Sequence, residues 1–175
     1  MDRRFFSYGL QMSGRMVYTI WYDNDYSGFH LTKSGLILAF DNLSDLNKYA
    51  AEINIKFEEM DECITYDFDG ITEWLKAPKG KTVKCNEFLD LYNLAGDFRN
   101  SLAGRNLDIE DKSYPKLLEK LFWGVNLAPV TPPGKKFTPI WSKAEVRELR
   151  RAMRESLLVF ETKLYVVSAE PPALS

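Results

Sequence analysis

The sequence contains little of what catalytic and metal-binding sites usually require. Its 175 residues include one histidine, His30, and two cysteines, Cys63 and Cys85. A single histidine excludes a multi-histidine metal site, and the two cysteines fit neither a zinc-finger spacing nor a disulfide framework. We therefore expect two reduced, mostly buried thiols and a structural role for His30.

Long apolar runs and familiar catalytic motifs are missing as well. No run of about 18 apolar residues occurs, and the opening MDRRFFSYGLQMSGR has no apolar stretch typical of a signal peptide. The chain also has no Gly-x-Gly-x-x-Gly, P-loop, Gly-x-Ser-x-Gly or His-Glu-x-x-His motif. These absences predict a cytoplasmic protein that is not an enzyme, needs no metal or cofactor, and has no membrane partner.

What is present predicts an α+β fold. Hydrophobic residues make up 45% of the chain, enough for one domain over residues 1–175, with a possible subdivision near 76–84. Three segments rich in β-formers predict an N-terminal antiparallel sheet. They are MVYTIWY (16–22), GFHLTK (28–33) and LILAF (36–40), and INIKFEEM (53–60) and ECITY (62–66) are further strand candidates.

The C-terminal half is predicted to be mostly helical. A short helix follows Asp41 and Asn42, and others cover GITEWLK (70–76), NEFLDLYNLAGDFRNSL (86–102) and the segment after Pro115. Ser142 and Glu145 have the spacing of a capping box, which starts a last helix. Before it, LAPVTPPGKKFTPIW (127–141) has four prolines and is predicted to be a long loop.

Charge is distributed unevenly, although the net charge is only −2. Residues 41–75 carry two basic and ten acidic side chains (2 − 10 = −8), and residues from 76 onward carry seventeen basic and twelve acidic side chains (17 − 12 = +5).

Four arginines share one side of the last helix, at offsets 0, 3, 4 and 7: Arg147, Arg150, Arg151 and Arg154. An RNA-binding adaptor is one interpretation. Nearby Glu148 and Glu155 and the overall acidity favour ion pairing with the acidic segment or a solvated face, so nucleic acid is not the expected partner.

The motif YDFDG (66–70) has two interpretations. Asp67 and Asp69 are spaced like the aspartates of a metal-dependent hydrolase or phosphotransferase, but no series of alternating buried strands and helices surrounds them. The alternative is that Asp67 or Asp69 caps the helix GITEWLK, and it explains the same residues better. We predict caps or surface acids rather than metal ligands.

The acidic stretch around this motif is the candidate for partner binding. Its carboxylates alternate with Phe57, Tyr66, Phe68 and Trp74, and carboxylates around aromatic anchors suit a basic protein partner. The alternative is that the aromatic residues belong to the core and the acids form a solvated surface. The candidate contact residues are Glu58, Glu59, Asp61, Glu62, Asp67 and Asp69.

The order of LSDLNKYAAEIN, an acidic strand, YDFDGITEWL and CNEFLDLYNLAGDFRNSL resembles a group of small bacterial immunity proteins. The similarity covers residues 36–103. These proteins belong to polymorphic toxin systems, including contact-dependent growth inhibition. The resemblance implies a cytosolic immunity protein that binds and neutralises one cognate toxin domain, often a basic nuclease, and this function requires no catalytic residue.

Overall fold

The computed structural model describes residues 3–59, 62–103 and 114–167. The N-terminal part forms strands β1 (Arg4–Met12), β2 (Arg15–Asp23), β3 (Gly28–Phe29) and β4 (Ile37–Phe40). Helix α1 (Leu43–Glu52), strand β5 (Ile64–Asp67) and helices α2 (Phe68–Lys76) and α3 (Cys85–Ala103) follow. Helices α4 (Pro115–Val125) and α5 (Lys143–Lys163) and strand β6 (Leu164–Val167) complete the described elements. The prediction of an α+β fold with mostly N-terminal strands is confirmed.

The sheet is mixed rather than antiparallel. Its strand order is β5-β1-β2-β4-β6, with β3 paired to β2 beside β4. The pairs β1/β2, β2/β3 and β2/β4 are antiparallel, as predicted, whereas β5 lies parallel to β1 and β6 parallel to β4. Both parallel strands reach the sheet only after a helix, because a tight turn can join antiparallel neighbours but not parallel ones. They form the two edges of the described sheet.

Two strands were not predicted from the sequence. In β1, Ser7 and Gly9 interrupt the run of β-formers, although alternate residues such as Leu10 face the core. Strand β6 is four residues long and directly follows α5, so its strand conformation depends on pairing with β4. Conversely, the segment 53–60 was a strand candidate, and its described residues, 53–59, form an isolated bridge from Phe57 to Phe5 and no longer strand.

The turn between β1 and β2 has a defined conformation. Ser13 and Gly14 both have positive φ, 52° and 74°. Two consecutive residues of this kind make a type I′ turn, whose twist matches that of the flanking strands. This turn brings two backbone amide groups next to the start of α2, where they become part of the site described below.

Helices cover both faces of the sheet. The larger hydrophobic cluster joins one sheet face to α2, α3, α4 and α5 and includes residues from both sides of 76–84. The predicted apolar stripe of α3 is buried in it, namely Phe88, Leu91, Ala95, Phe98 and Leu102. Leu46 and Ala50 of α1 pack with Ile20, Leu38 and Phe40 in a second, smaller cluster. Helix α1 begins at the predicted cap Asn42, and α5 has the predicted capping box.

Candidate functional site

The acidic segment before β5 lies at one edge of the described sheet. The Glu58 backbone amide donates to the Phe5 carbonyl at 2.8 Å, which fixes this segment against the beginning of β1. Glu58, Glu59 and Glu62 are exposed, and none of them forms an ion pair within the described residues. Asp61 lies outside the described residues. We call Glu58, Glu59 and Glu62, with the exposed Asp67 at the end of β5, the acidic edge.

The aromatic residues of this segment belong to the core and are not surface anchors. Phe68 and Trp74 are 1% and 7% exposed, and their rings pack against Phe160 and Phe88 at centroid distances of 4.9 Å. Tyr66 packs edge-on to Tyr8, and Phe57 joins the smaller cluster. Alternation along β5 turns Tyr66 inward and its neighbours Thr65 and Asp67 outward. Of the two alternatives, the structure favours aromatic residues that belong to the core, and the acidic edge presents carboxylates without aromatic anchors.

Asp67 caps helix α2. Its side-chain oxygen accepts the backbone amide of Gly70 at 3.1 Å, and its backbone is extended, as at a helix N-cap. A carboxylate at this position also interacts favourably with the helix dipole. This geometry supports the capping interpretation of the YDFDG motif.

Asp69 binds the β1/β2 turn. Its carboxylate accepts the amide of Ser13 at 2.6 Å, the amide of Gly14 at 2.9 Å and the Gln11 side-chain amide at 3.3 Å. Partial desolvation acts to raise the pKa of Asp69, but the hydrogen bonds from Gly14, Gln11 and Ser13 together hold this pKa below its ordinary value. Both aspartates of the motif thus have structural hydrogen bonds. Among the described side chains, no group of three or more His, Cys, Asp or Glu is arranged to hold a metal ion.

Negative charge continues from β5 onto α3, beyond the acidic segment that the sequence indicates. Asp97 accepts the Trp21 indole N–H at 2.9 Å, and burial raises the pKa of Asp97 despite that hydrogen bond. Burial, with Glu87 nearby, also raises the pKa of Asp90. Burial raises the pKa of the Tyr66 hydroxyl in β5, and the nearby carboxylates of Asp90 and Asp97 raise it further. Their offsets from Glu87, 3 and 10 residues, place all three acids on one side of a helix, and this spacing was the available signal.

The four predicted arginines are exposed on α5. Arg154 pairs with Glu161 at 2.9 Å. Burial and the Glu155 carboxylate raise the pKa of the Tyr114 hydroxyl to about 12, and the nearby Arg151 acts to lower it. In the part of the chain that the structure describes, none of the four pairs with a carboxylate of residues 41–75. Of the two expected arrangements, the ion-pair network between the oppositely charged segments is therefore absent there and an exposed face remains. The arginines line a groove next to α2.

The proline-rich segment 127–141 contains no helix or strand, as predicted. Asn126 closes it, since the Asn126 side chain donates to the Phe137 carbonyl at 3.0 Å and accepts the Phe137 amide at 2.6 Å. Lys120 donates to the Ile140 carbonyl at 2.6 Å. A group of exposed apolar side chains lies along this segment and the end of α4: Trp123, Leu127, Val130, Phe137 and Ile140.

The histidine and the two cysteines have local structural contacts. A ring nitrogen of His30 lies 3.1 Å from the Tyr49 hydroxyl. Cys63 is half-buried and donates to the Ser7 carbonyl at 3.1 Å, while Cys85 is buried. Both thiols are free, and burial raises the pKa of Cys85, which disfavours the reactive thiolate.

Comparison with known proteins gives a likeness in fold. No family model and no curated protein matches the sequence. A solved structure described as "The crystal structure of SatS c-terminal domain in complex with bromine" superimposes with a TM-score of 0.52 and 16% sequence identity. The similarity covers 93% of this chain and 94% of that chain. At this identity it shows a shared fold alone. No helix of the described residues is both long and apolar enough to cross a membrane.

Proposed function

We propose that this protein is an immunity protein that neutralises a cognate toxin, a basic nuclease domain, by stoichiometric binding. One observation carries the proposal: Glu58, Glu59 and Glu62 are exposed and without ion pairs in the described structure, on a segment fixed to β1. Neighbouring like charges repel each other, and they gain a favourable interaction only when a basic partner supplies the opposite charge.

The rigid attachment of this segment supports recognition rather than simple solubility. The backbone bond between Glu58 and Phe5 and the contact of Phe57 with the smaller cluster fix the backbone from which the Glu58 side chain projects. Asp67 extends the same edge beyond β5, and its side chain is fixed by the Gly70 amide. Binding of a partner therefore orders less backbone at Glu58 than binding to a free loop would.

Charge complementarity fits a nuclease as the partner. Nucleases bind a polyanion and therefore present basic surfaces, so a carboxylate row can occupy the site that otherwise receives phosphates. In such inhibition the immunity protein itself catalyses no reaction. The carboxylates of Asp67 and Asp69 accept backbone hydrogen bonds that stabilise the fold, and this is consistent with inhibition by binding rather than by catalysis.

Co-expression with the product of the neighbouring gene, which under this proposal encodes the toxin, tests the proposal. We expect the two products to co-purify in a 1:1 complex on size-exclusion chromatography, and cells that express the toxin to survive only when this protein is present. Survival without a detectable complex, or a complex that leaves the toxin active in vitro, contradicts the proposed mechanism. A catalytically inactive toxin variant is the control, since it should form the complex without any selection for survival.

A further inference from the structure

A surface groove of about 600 Å³ lies along α2 and α5, and every charged side chain that lines it is a cation. Its lining consists of Thr72, Leu75, Lys76, Arg147, Arg150, Arg151 and Arg154. The apolar stripe of α5, which includes Leu149 and Met153, is turned into the core, so the arginines are not needed to bury this helix. The groove therefore combines positive charge with an apolar wall from Leu75.

The groove continues past the beginning of α5. A second depression of about 380 Å³ shares Arg147 and Arg150 with the first. It adds Pro78, Lys79, Gly80, Trp141, Lys143 and Val146. From Lys143 to Arg154 the helix rises about 16 Å, at 1.5 Å per residue. We call the two adjoining depressions together the trough, and seven cations and no carboxylate line it.

The positive charge is only partly compensated within the described chain. Lys76 pairs with Glu73 at 2.5 Å and Arg154 pairs with Glu161, both at exposed positions where an ion pair contributes little. In the same described residues, Arg147 and Arg150, which are common to both depressions, have no ion pair. Like charges three and four residues apart on a helix repel each other. A bound anion relieves this repulsion.

We propose that this trough binds single-stranded nucleic acid through its phosphate backbone. A row of guanidinium groups suits a polymer with one negative charge per unit, because each planar fork can bind two phosphate oxygens. Trp141 and Pro78 line the same trough and provide apolar surface against which a base can pack, as in single-strand-binding proteins. In a duplex the bases are stacked on one another and are not free to pack against Trp141, so we expect the trough to favour a single strand.

The proposal is independent of the toxin-binding function, because the trough contains no residue of the acidic edge. It also differs from what the sequence alone indicates. Glu148 and Glu155 alternate with the arginines in the sequence and suggest a neutralised surface, yet neither lines the trough. The local charge that a bound strand meets is therefore much more positive than the composition of α5 predicts.

Fluorescence anisotropy with labelled 12-nucleotide oligo(U) and oligo(dT) tests this inference. We expect binding at 50 mM salt, with a slope of log K against log salt near −3, since about four phosphates are neutralised at roughly 0.7 per contact. The variant Arg147→Glu/Arg150→Glu should bind at least tenfold more weakly and with a shallower slope. The control Lys116→Glu/Lys135→Glu makes the same charge change at exposed positions outside the trough and should bind within about twofold of the native protein.

Three results would overturn the inference. They are no binding of either oligonucleotide at 100 µM protein and 50 mM salt, an equal loss in the trough and control variants, and equal binding of a 12-base-pair duplex. Tighter binding of an oligoglutamate peptide of the same charge would instead assign the trough to an acidic protein segment. Circular dichroism and melting temperature of both variants establish that each one is folded, so a loss of binding is not mistaken for unfolding.

Discussion

The carboxylate of Asp69 accepts the backbone amide of Gly14 at 2.9 Å and so joins the start of α2 to a turn 55 residues earlier in the chain. The same carboxylate accepts the neighbouring Ser13 amide at 2.6 Å. Both amides belong to a type I′ turn whose residues have positive φ, so the turn presents two adjacent donors in a fixed orientation. One aspartate of the YDFDG motif thus stabilises the hairpin, while the other caps the helix.

Removal of the Asp69 carboxylate should destabilise the protein. Asp69→Ala removes the acceptor of the Ser13 and Gly14 amides, and because water can reach these exposed amides we expect a loss of about 0.5–1.5 kcal/mol in urea unfolding at pH 7. Asp69→Asn retains one oxygen acceptor and should lose less. Asp67→Ala removes a helix cap alone and should cost about 1 kcal/mol. Equal stability of Asp69→Ala and the native protein would refute the role of this carboxylate.

The pH dependence of that stabilisation follows from the lowered pKa of Asp69. A carboxyl group with a folded-state pKa below its unfolded value stabilises the protein fully above the unfolded pKa, here near 3.8, and progressively less as pH falls through the folded pKa. The stability difference between native protein and Asp69→Ala should therefore shrink below about pH 4.

Magnesium and manganese should bind weakly if the aspartates act as described. Isothermal titration should detect no site tighter than roughly millimolar, a range that is weak for a dedicated metal centre. The Asp67 and Asp69 oxygens already accept hydrogen bonds, and a metal ion would have to displace them. A micromolar site that Asp69→Asn abolishes would restore the hydrolase interpretation. Titration of Asp97→Asn, which changes a carboxylate outside the motif, is the control.

The sequence predicted those elements whose signal is local. The cap at Asn42, the capping box at Ser142 and the apolar stripe of α3 each depend on residues within a few turns of one another, and all three are present. Strand β6 was missed because its conformation depends on Ile37 to Phe40, more than 120 residues away in the sequence. Periodicity carries no information about such a partner.

The candidate surface was predictable only in part. The excess of acids in residues 41–75 indicated where negative charge would lie, and Glu58, Glu59 and Glu62 are exposed as expected. The sequence left open whether the aromatic residues between the acids are surface anchors or core, since the burial of a residue such as Tyr66 depends on which side of β5 faces the core. The groove beside α2 could not be predicted, because it needs two helices whose relative placement is set by tertiary packing.

Asp97 provides a second test of the local electrostatics. Burial raises the pKa of this carboxyl, so its ionised form opposes folding, and this cost grows as pH rises above the ordinary value of 3.8. Asp97→Asn keeps an oxygen for the Trp21 indole N–H without the charge and should match or exceed native stability at pH 7. Asp97→Ala leaves that N–H unpaired and should lose about 1–3 kcal/mol. Thermal unfolding at pH 5 and pH 7 separates the two contributions.

The acidic edge should control how fast the toxin associates. Long-range attraction acts over a Debye length of about 8–10 Å near physiological salt, so added salt should slow association more than it changes dissociation. Reversal of Glu58, Glu59 and Glu62 to lysine should reduce the association rate at least tenfold, because close charge pairs at such interfaces couple by more than about 1 kcal/mol. Melting temperature should change little, since exposed carboxylates without ion pairs contribute little to folding.

The matched control for this reversal is Asp25→Lys/Glu119→Lys/Glu148→Lys. Each variant changes the net charge from −2 to −2 + 6 = +4, and all three control acids are exposed. An effect of net charge slows association equally in both variants, whereas a localised docking surface slows it mainly in the first. Surface plasmon resonance against the co-purified toxin at 50 and 300 mM salt measures both rates. If the first variant associates as fast as the control at low salt, the acidic edge is a solvated surface, and the exposed apolar group around Trp123 and Phe137 becomes the surface to mutate next.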